Sequence, residues 1–118
     1  VIILKFMRKK NTTKLPYSIT TSTLTKINFL FELSKDTKSP ISVHQLLNLI
    51  LTNINKETKI INLSNGDIIQ ALAMALAVRM KMVTANDQVI EKIVIDCVSR
   101  AINASKSAVI ESPTFGNS

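Results

Sequence analysis

Four stretches of this 118-residue chain place apolar residues three or four positions apart, the spacing of one face of an α-helix. In the first stretch that face consists of Leu24, Ile27, Leu30 and Phe31. The polar run 18–25 supplies several Ser and Thr side chains that can cap a helix N-terminus. This pattern predicts a first helix that ends near Ser34 and is followed by a polar loop.

The second and third predicted helices each begin with the pattern of a capping box. In that motif a Ser side chain and the side chain three residues later bond each other's backbone amides. Ser42 and Gln45 open the second helix, which we expect to end at Asn55. Ser64 and Asp67 open the third, which is apolar on nearly every face. Such a helix is either buried in a bundle or offers a second face to a partner.

The fourth predicted helix has the clearest amphipathic pattern. Asn86 or Asp87 caps it, and it ends near Asn103. Its apolar stripe consists of Val89, Ile90, Ile93, Val94, Cys97, Val98 and Ala101. Short connections between the four helices predict an all-α, antiparallel four-helix bundle. We therefore expect three segments, namely a basic N-terminal arm at 1–16, a helical bundle at 17–103 and a flexible polar tail at 104–118.

The composition fits one helical domain. Two Gly and three Pro argue against a β-sandwich or barrel, which uses these residues in many turns. The single cysteine, Cys97, excludes an intramolecular disulfide and favours a reducing compartment. No stretch has the charge order of a signal peptide or the length of a membrane span. We expect a soluble, cytoplasmic protein with no membrane partner.

The net charge of +7 is distributed unevenly along the chain. The first fourteen residues contain no acid and five bases, which are Lys5, Arg8, Lys9, Lys10 and Lys14. The rest of the chain has ten basic and eight acidic residues, a net charge of only +2. A basic segment of this kind favours a polyanion such as nucleic acid, or an anionic membrane surface; a solubility tail is the alternative.

Residue types that carry catalysis are sparse. His44 is the only histidine and lies beside the apolar stripe of the second helix, where a solvated or helix-edge role is expected. Cys97 is expected to be a small buried hydrophobe on the fourth helix. The carboxylates are scattered, and Gly66 is the only glycine outside the C-terminal tail, so no phosphate-binding glycine loop is present. We expect no enzyme activity, no cofactor and no metal site.

Two groups of charged residues in the helices are candidates for binding. Arg79 and Lys81 interrupt the apolar third helix. An arginine there must either reach solvent at the helix end or pair with a phosphate or with an acid on a neighbouring helix. Lys92, Asp96 and Arg100 are spaced four apart on the fourth helix. This spacing favours salt bridges within the helix, although the three charges can also line a groove.

Several apolar residues lie away from the main stripes and indicate a subunit contact. They are Ile69, Met74, Val78, Met82, Ile95 and Ile102. A DNA-reading helix-turn-helix is poorly supported, because the fourth helix has only Lys92 and Arg100 as basic residues and no polar cluster at its N-terminus.

A small basic helical body with surplus interaction surface resembles the small subunit of a Cascade-type CRISPR–Cas surveillance complex, over residues 18–103. The resemblance is architectural, without a diagnostic motif. It implies a helical subunit, present in several copies beside other protein subunits, that contacts phosphates of the guide RNA–DNA duplex or of the displaced strand. In some type I systems this subunit is translated from an internal start, which fits a chain that begins at Val1 or at Met7.

The resemblance implies which residues contact phosphates. On the helices they would be Lys26, Arg79, Lys81, Lys92 and Arg100. The basic arm adds Arg8, Lys9, Lys10 and Lys14. Two other functions stay open, namely a protein–protein adaptor or assembly module without nucleic acid, and a small dimeric DNA-binding regulator.

Overall fold

A computed structural model describes residues 13–112 and shows a mixed α/β fold. Its elements in chain order are the strands β1 (Lys14–Thr20) and β2 (Lys26–Glu32), the helices α1 (Pro40–Ile61), α2 (Asn65–Met82) and α3 (Asp87–Lys106), and the strand β3 (Val109–Glu111). The prediction of an all-α four-helix bundle is therefore wrong. Three of the four predicted helices exist, and the first is replaced by a β-hairpin.

The hairpin pairs β1 and β2 antiparallel in a register that sorts apolar from polar residues. Leu15 faces Phe31, Tyr17 faces Phe29 and Ile19 faces Ile27, which places six apolar side chains on one face of the sheet. The rings of Phe29 and Phe31 stack with their centroids 5.4 Å apart. Because strands alternate with a period of two, the Ile27, Phe29, Phe31 pattern fits a strand better than a helix.

The turn between the strands contains no glycine, which explains why it was not predicted. The backbone amide of Leu24 donates to the carbonyl of Thr21, and the amide of Thr21 donates to the carbonyl of Thr25, both at 2.9 Å. The hydroxyl of Thr21 also accepts from the amide of Thr25. Leu24 has a positive φ of 65°, a conformation that bulky L-residues seldom adopt.

The C-terminal strand completes a three-stranded sheet of order β1-β2-β3. β3 pairs antiparallel with β2, so that Ile27 faces Ile110 and Lys26 faces Glu111. Of the segment expected to be a polar tail, residues 104–106 belong to α3 and 109–111 to this strand. A pairing across some eighty residues leaves no periodic signal in a three-residue segment.

Helix α1 is longer than its predicted counterpart at both ends. It begins at Pro40, two residues before Ser42, and proline is favoured at the first helical position because no amide is required there. It continues past Asn55 to Ile61 and is followed by Asn62, whose φ of 62° is typical of the residue after a helix. A single internal asparagine costs a helix too little to end it.

The N-termini of α2 and α3 agree with the sequence predictions. The Ser64 hydroxyl accepts from the amide of Asp67 at 3.1 Å, and the Asp67 carboxylate accepts from the amide of Ser64 at 3.4 Å. These two bonds form the predicted capping box. The Asn86 side chain accepts from the amide of Gln88 at 2.8 Å and caps α3.

The chain divides into two compact units. The sheet unit contains residues 1–40 and 97–118, of which 13–40 and 97–112 are described; the helical unit contains residues 41–96. The buried residues among 13–112 are Tyr17 and Ala104, and both belong to the sheet unit. The described hydrophobic core is thus small and lies in the sheet unit.

Candidate interaction surfaces

The residues predicted to contact phosphates are distributed over both units and the N-terminal residues outside the described range. Arg8, Lys9 and Lys10 lie outside the described residues. The other candidates divide between the two units. The sheet unit contains Lys14, Lys26 and Arg100, and the helical unit contains Arg79, Lys81 and Lys92.

Acidic residues lie opposite both lysines of the sheet. Lys14 is paired in register with Glu32, and Lys26 with Glu111. Strand alternation places all four on the polar face of the sheet. On the same face the Ser18 hydroxyl donates to the Asn28 side-chain oxygen at 2.6 Å. Asn28 in turn donates to the Glu111 carboxylate at 3.0 Å. Each lysine therefore has a carboxylate within cross-strand range.

Arg100 on α3 forms an ion pair with Glu32 on β2. The guanidinium and carboxylate are 3.4 Å apart, and their side chains are 33% and 46% exposed. The sequence favoured partners for Arg100 within its own helix, and no periodicity indicated a strand residue 68 positions away. At this exposure the pair contributes little stability, about 0–1 kcal/mol.

The two basic residues of α2 have different surroundings. Lys81 pairs with Asp87, the first residue of α3, at 3.5 Å, and both side chains are almost fully exposed. The predicted alternative of an acid on a neighbouring helix is therefore observed for Lys81. Arg79 is exposed and, within residues 13–112, has no ion-pair partner. Lys92 on α3 is likewise exposed and unpaired within that range.

The division into units separates the charge of the chain. The helical unit contains five basic and five acidic residues, and its net charge is zero. The whole excess of +7 therefore belongs to the sheet unit, which includes the basic N-terminal residues. From the sequence, most of this positive charge was assigned to the first fourteen residues. The fold adds Arg100 and Lys106 to the same unit.

The helical unit has an unusually exposed apolar surface. None of its residues is buried, and it contains seventeen of the twenty-three exposed large apolar residues. The six residues predicted to lie away from the main stripes are all exposed, at 49–67%. Soluble proteins seldom expose contiguous apolar surface on this scale unless a partner covers it.

Helices α1 and α2 enclose an apolar groove of about 410 Å³ within the helical unit. On the α1 side it is lined by Ile50 and Ile54, and on the α2 side by Ile68, Leu72 and Ala75. Polar atoms reach it only at its edges, from Asn53, Glu57 and Asp67. Its volume suits one or two apolar side chains of a partner.

Helix α2 has a second exposed face besides the one that lines the groove. Leu72, which lines the groove, is 41% exposed. Met74, Val78 and Met82 follow one another at four-residue intervals and are 59%, 61% and 65% exposed. This second face is the part of the apolar helix that the sequence assigned to a partner.

The only histidine and the only cysteine of the chain lie on different helices, His44 on α1 and Cys97 on α3. His44 is half-buried on α1. Cys97 is exposed, which corrects the prediction of a buried position. Within residues 13–112 there is no cluster of three or more His, Cys, Asp or Glu side chains that could hold a metal ion.

Within residues 13–112, none of the helices α1, α2 and α3 combines the length and apolar character needed to cross a bilayer.

Comparisons with protein-family models, with curated proteins and with solved structures found no match to this chain.

Proposed function

We propose that this chain is a non-catalytic assembly subunit whose helical unit completes its hydrophobic core against another protein chain. The observation that carries the proposal is the absence of any buried residue from 41 to 96. This proposal corresponds to the protein–protein adaptor or assembly module, one of the functions that the sequence left open.

The energetics of folding support this proposal. Ordering a residue costs about 1–2 kcal/mol of backbone entropy, and fully burying a Leu, Ile, Val or Met side chain contributes about 1.5–3 kcal/mol. In the helical unit the large apolar side chains keep much of their surface in water. They therefore supply only part of the free energy that ordering the helices requires. A partner that covers these faces supplies the rest, as in obligate complexes.

The groove between α1 and α2 gives the assembly surface a place for an anchor. Binding energy at protein interfaces is concentrated in a few apolar or aromatic side chains inserted into pockets. The groove is open to one side chain of that size and is lined by Ile54, Ile68 and Leu72. We expect a partner to insert a Leu, Met or Phe there.

Hydrogen exchange of the full chain tests the proposal. At a concentration low enough for sedimentation to show a monomer, amides of α1 and α2 should exchange nearly as fast as in an unfolded chain, because their opening free energy is small. Amides of β2 should be protected, and they provide the internal control. A monomer with strongly protected α1 and α2 would show that the helical unit is stable alone, and the proposal would be wrong.

A second function, contact with nucleic-acid phosphates through the sheet unit, is favoured by one observation. All of the net positive charge of the chain belongs to that unit, whereas the helical unit is neutral. The polyanion would be bound by electrostatics without base reading, so its affinity should fall steeply with salt. Within a cytoplasmic ribonucleoprotein the two units would then have separate tasks.

The resemblance to Cascade small subunits stays a prediction. The resemblance was based on an all-helical domain, whereas residues 14–32 of this chain form a β-hairpin. The phosphate-binding proposal therefore depends on the charge of the sheet unit and not on that family.

Fluorescence anisotropy with a labelled single-stranded oligonucleotide tests the second function. Replacing Arg8, Lys9 and Lys10 with Ser should weaken binding and reduce the slope of log affinity against log salt by up to about 0.7 for each lost phosphate contact. The matched control replaces Lys59, Arg79 and Lys92, three basic residues of the neutral unit, with Ser and should leave the affinity almost unchanged. An equal loss in both variants, or no binding by the wild type at low salt, would refute the phosphate role.

A further inference from the structure

Met74 and Val78 of the second exposed face belong to a longer stripe along α2, which adjoins the groove because its first two residues, Asp67 and Ala71, also line the groove. The residues of the stripe are spaced by four, three, four and three positions, and they are Asp67, Ala71, Met74, Val78 and Lys81. Residues at alternating intervals of four and three positions lie on one side of a helix. Helices that pack side by side along their length contact each other through residues with this spacing. We call these five residues the outer stripe. All five are exposed.

The outer stripe is apolar at its centre and has opposite charges at its two ends. Asp67 precedes Met74 by seven residues, and Lys81 follows it by seven. At a rise of 1.5 Å per residue, each charge lies about 10 Å from Met74 along the helix axis. A rotation of 180° about an axis that passes through Met74 perpendicular to the helix therefore exchanges the position of the Asp67 carboxylate with that of the Lys81 ammonium group.

We propose that the partner of the outer stripe is a second copy of this chain, with the two α2 helices antiparallel and related by a two-fold axis near Met74. Met74 and Val78 of the two copies would form an apolar centre. Asp67 of each copy would lie near Lys81 of the other, at both ends of the contact. This inference rests on the proposed assembly function and specifies one of its partners.

Charge complementarity decides between the possible arrangements. A parallel pair in register would place Asp67 beside Asp67 and Lys81 beside Lys81, and like charges at an interface are unfavourable. The antiparallel pair places unlike charges together twice, as an isologous two-fold contact requires. The ion pair that Lys81 already makes with Asp87 is almost fully exposed, so exchanging that partner costs little.

The two helical units can also approach each other without net repulsion, because each has a net charge of zero. One helix pair is small beside the roughly 1,600 Å² of a standard interface. We therefore expect a dimer of micromolar affinity that forms as the concentration rises.

Sedimentation equilibrium of the full chain tests the pairing with two matched variants. Lys81→Glu brings a carboxylate near Asp67 of the other copy at both ends and should weaken dimerisation at least tenfold. Arg79→Glu makes the same change in net charge two residues away, outside the outer stripe, and should change the affinity less than about twofold. Far-UV circular dichroism of both variants controls for loss of helix.

Cysteine crosslinking tests the position of the axis independently of charge. In a Cys97→Ser background, Met74→Cys should form an intermolecular disulfide with diamide, because the axis brings the two copies of position 74 together. Ala73→Cys, one residue away and on another side of α2, should not crosslink.

The outcomes separate this inference from the proposed function. A dimer in which Lys81→Glu and Arg79→Glu behave alike, or in which Ala73→Cys crosslinks as well as Met74→Cys, overturns the α2 pairing and leaves the assembly function intact. A chain that stays monomeric with rapidly exchanging α1 and α2 also overturns self-pairing, and it assigns the surface to another protein. A monomer with protected helices overturns both.

Discussion

Leu24 offers a test in which the usual effect of glycine on stability is reversed. Its φ of 65° lies in the left-handed region, which costs a residue with a Cβ atom about 1–2 kcal/mol. Glycine avoids that cost but loses about 0.5–1 kcal/mol more conformational entropy than alanine on folding. We therefore expect Leu24→Gly to be more stable than Leu24→Ala by about 0.5–1 kcal/mol.

Comparing the two variants with each other removes the contribution of the leucine side chain. That side chain is 59% exposed, and both substitutions delete what it buries. The remaining difference reports the backbone conformation alone. Ser22, in the same turn but not among the described residues with positive φ, is the control position. There alanine should equal or exceed glycine in stability.

Urea unfolding followed by tyrosine fluorescence measures the effect in the sheet unit. Tyr17 is the only tyrosine, the chain has no tryptophan, and the Tyr17 side chain is buried on β1. With a denaturant slope of about 1–3 kcal/mol per molar urea, the midpoints of the two variants should differ by roughly 0.2–1 M. If Leu24→Ala unfolds at the same or a higher urea concentration than Leu24→Gly, the left-handed turn is not present in solution.

Two further substitutions test the cap of α2 and the core of the sheet unit. Ser64→Ala removes the hydroxyl half of the capping box and should destabilise α2 by about 1 kcal/mol, which far-UV circular dichroism would detect as a loss of helical signal. An unchanged spectrum would show that the cap is not formed. Ala104→Leu enlarges one of the two buried residues among 13–112 and should destabilise the sheet unit by about 1–3 kcal/mol in the same urea assay. The control Ala101→Leu, at an exposed position of α3, should have little effect. Equal stabilities of the two variants would place Ala104 outside the core.

The helices α2 and α3 could be predicted because their signals are local. The capping box of Ser64 and Asp67 and the cap at Asn86 depend on residues within three positions of each other. The end of α1 was misplaced because Asn55 and Asn62 carry the same signal. Only Asn62 has the left-handed backbone that follows a helix end.

The β-hairpin could not be assigned with the same certainty because its sequence fits two periods. Leu24, Ile27, Leu30 and Phe31 match a helical face, and Ile27, Phe29 and Phe31 also alternate as in a strand. The β-branched and aromatic composition of 19–31 was the available evidence for a strand. A glycine in the turn would have resolved the ambiguity, but Leu24 occupies the left-handed position.

The candidate site was predicted in part. The exposed apolar residues of α2 follow from a helix that has no polar face, and the structure places Met74, Val78 and Met82 in the open as expected. The partners of the basic residues did not follow, since Glu32 reaches Arg100 only through the packing of a strand and a helix. Cys97 was misplaced because an apolar stripe does not specify how completely it is covered.

Pro16 on β1 bears on whether a further strand can add to the sheet. The amide of Leu33 donates to the carbonyl of Thr13, and the amide of Thr21 donates to the carbonyl of Thr25. Between these two bonded pairs, the odd-numbered residues of β1 therefore form the backbone hydrogen bonds with β2. Pro16 lies in the other row, whose backbone groups face the outer edge of the described sheet. Its missing amide deprives an incoming strand of a donor at the centre of that edge, and the opposite edge, β3, is only three residues long. Strand-by-strand growth is therefore hindered at both edges of the described sheet, so further strands cannot easily add to it.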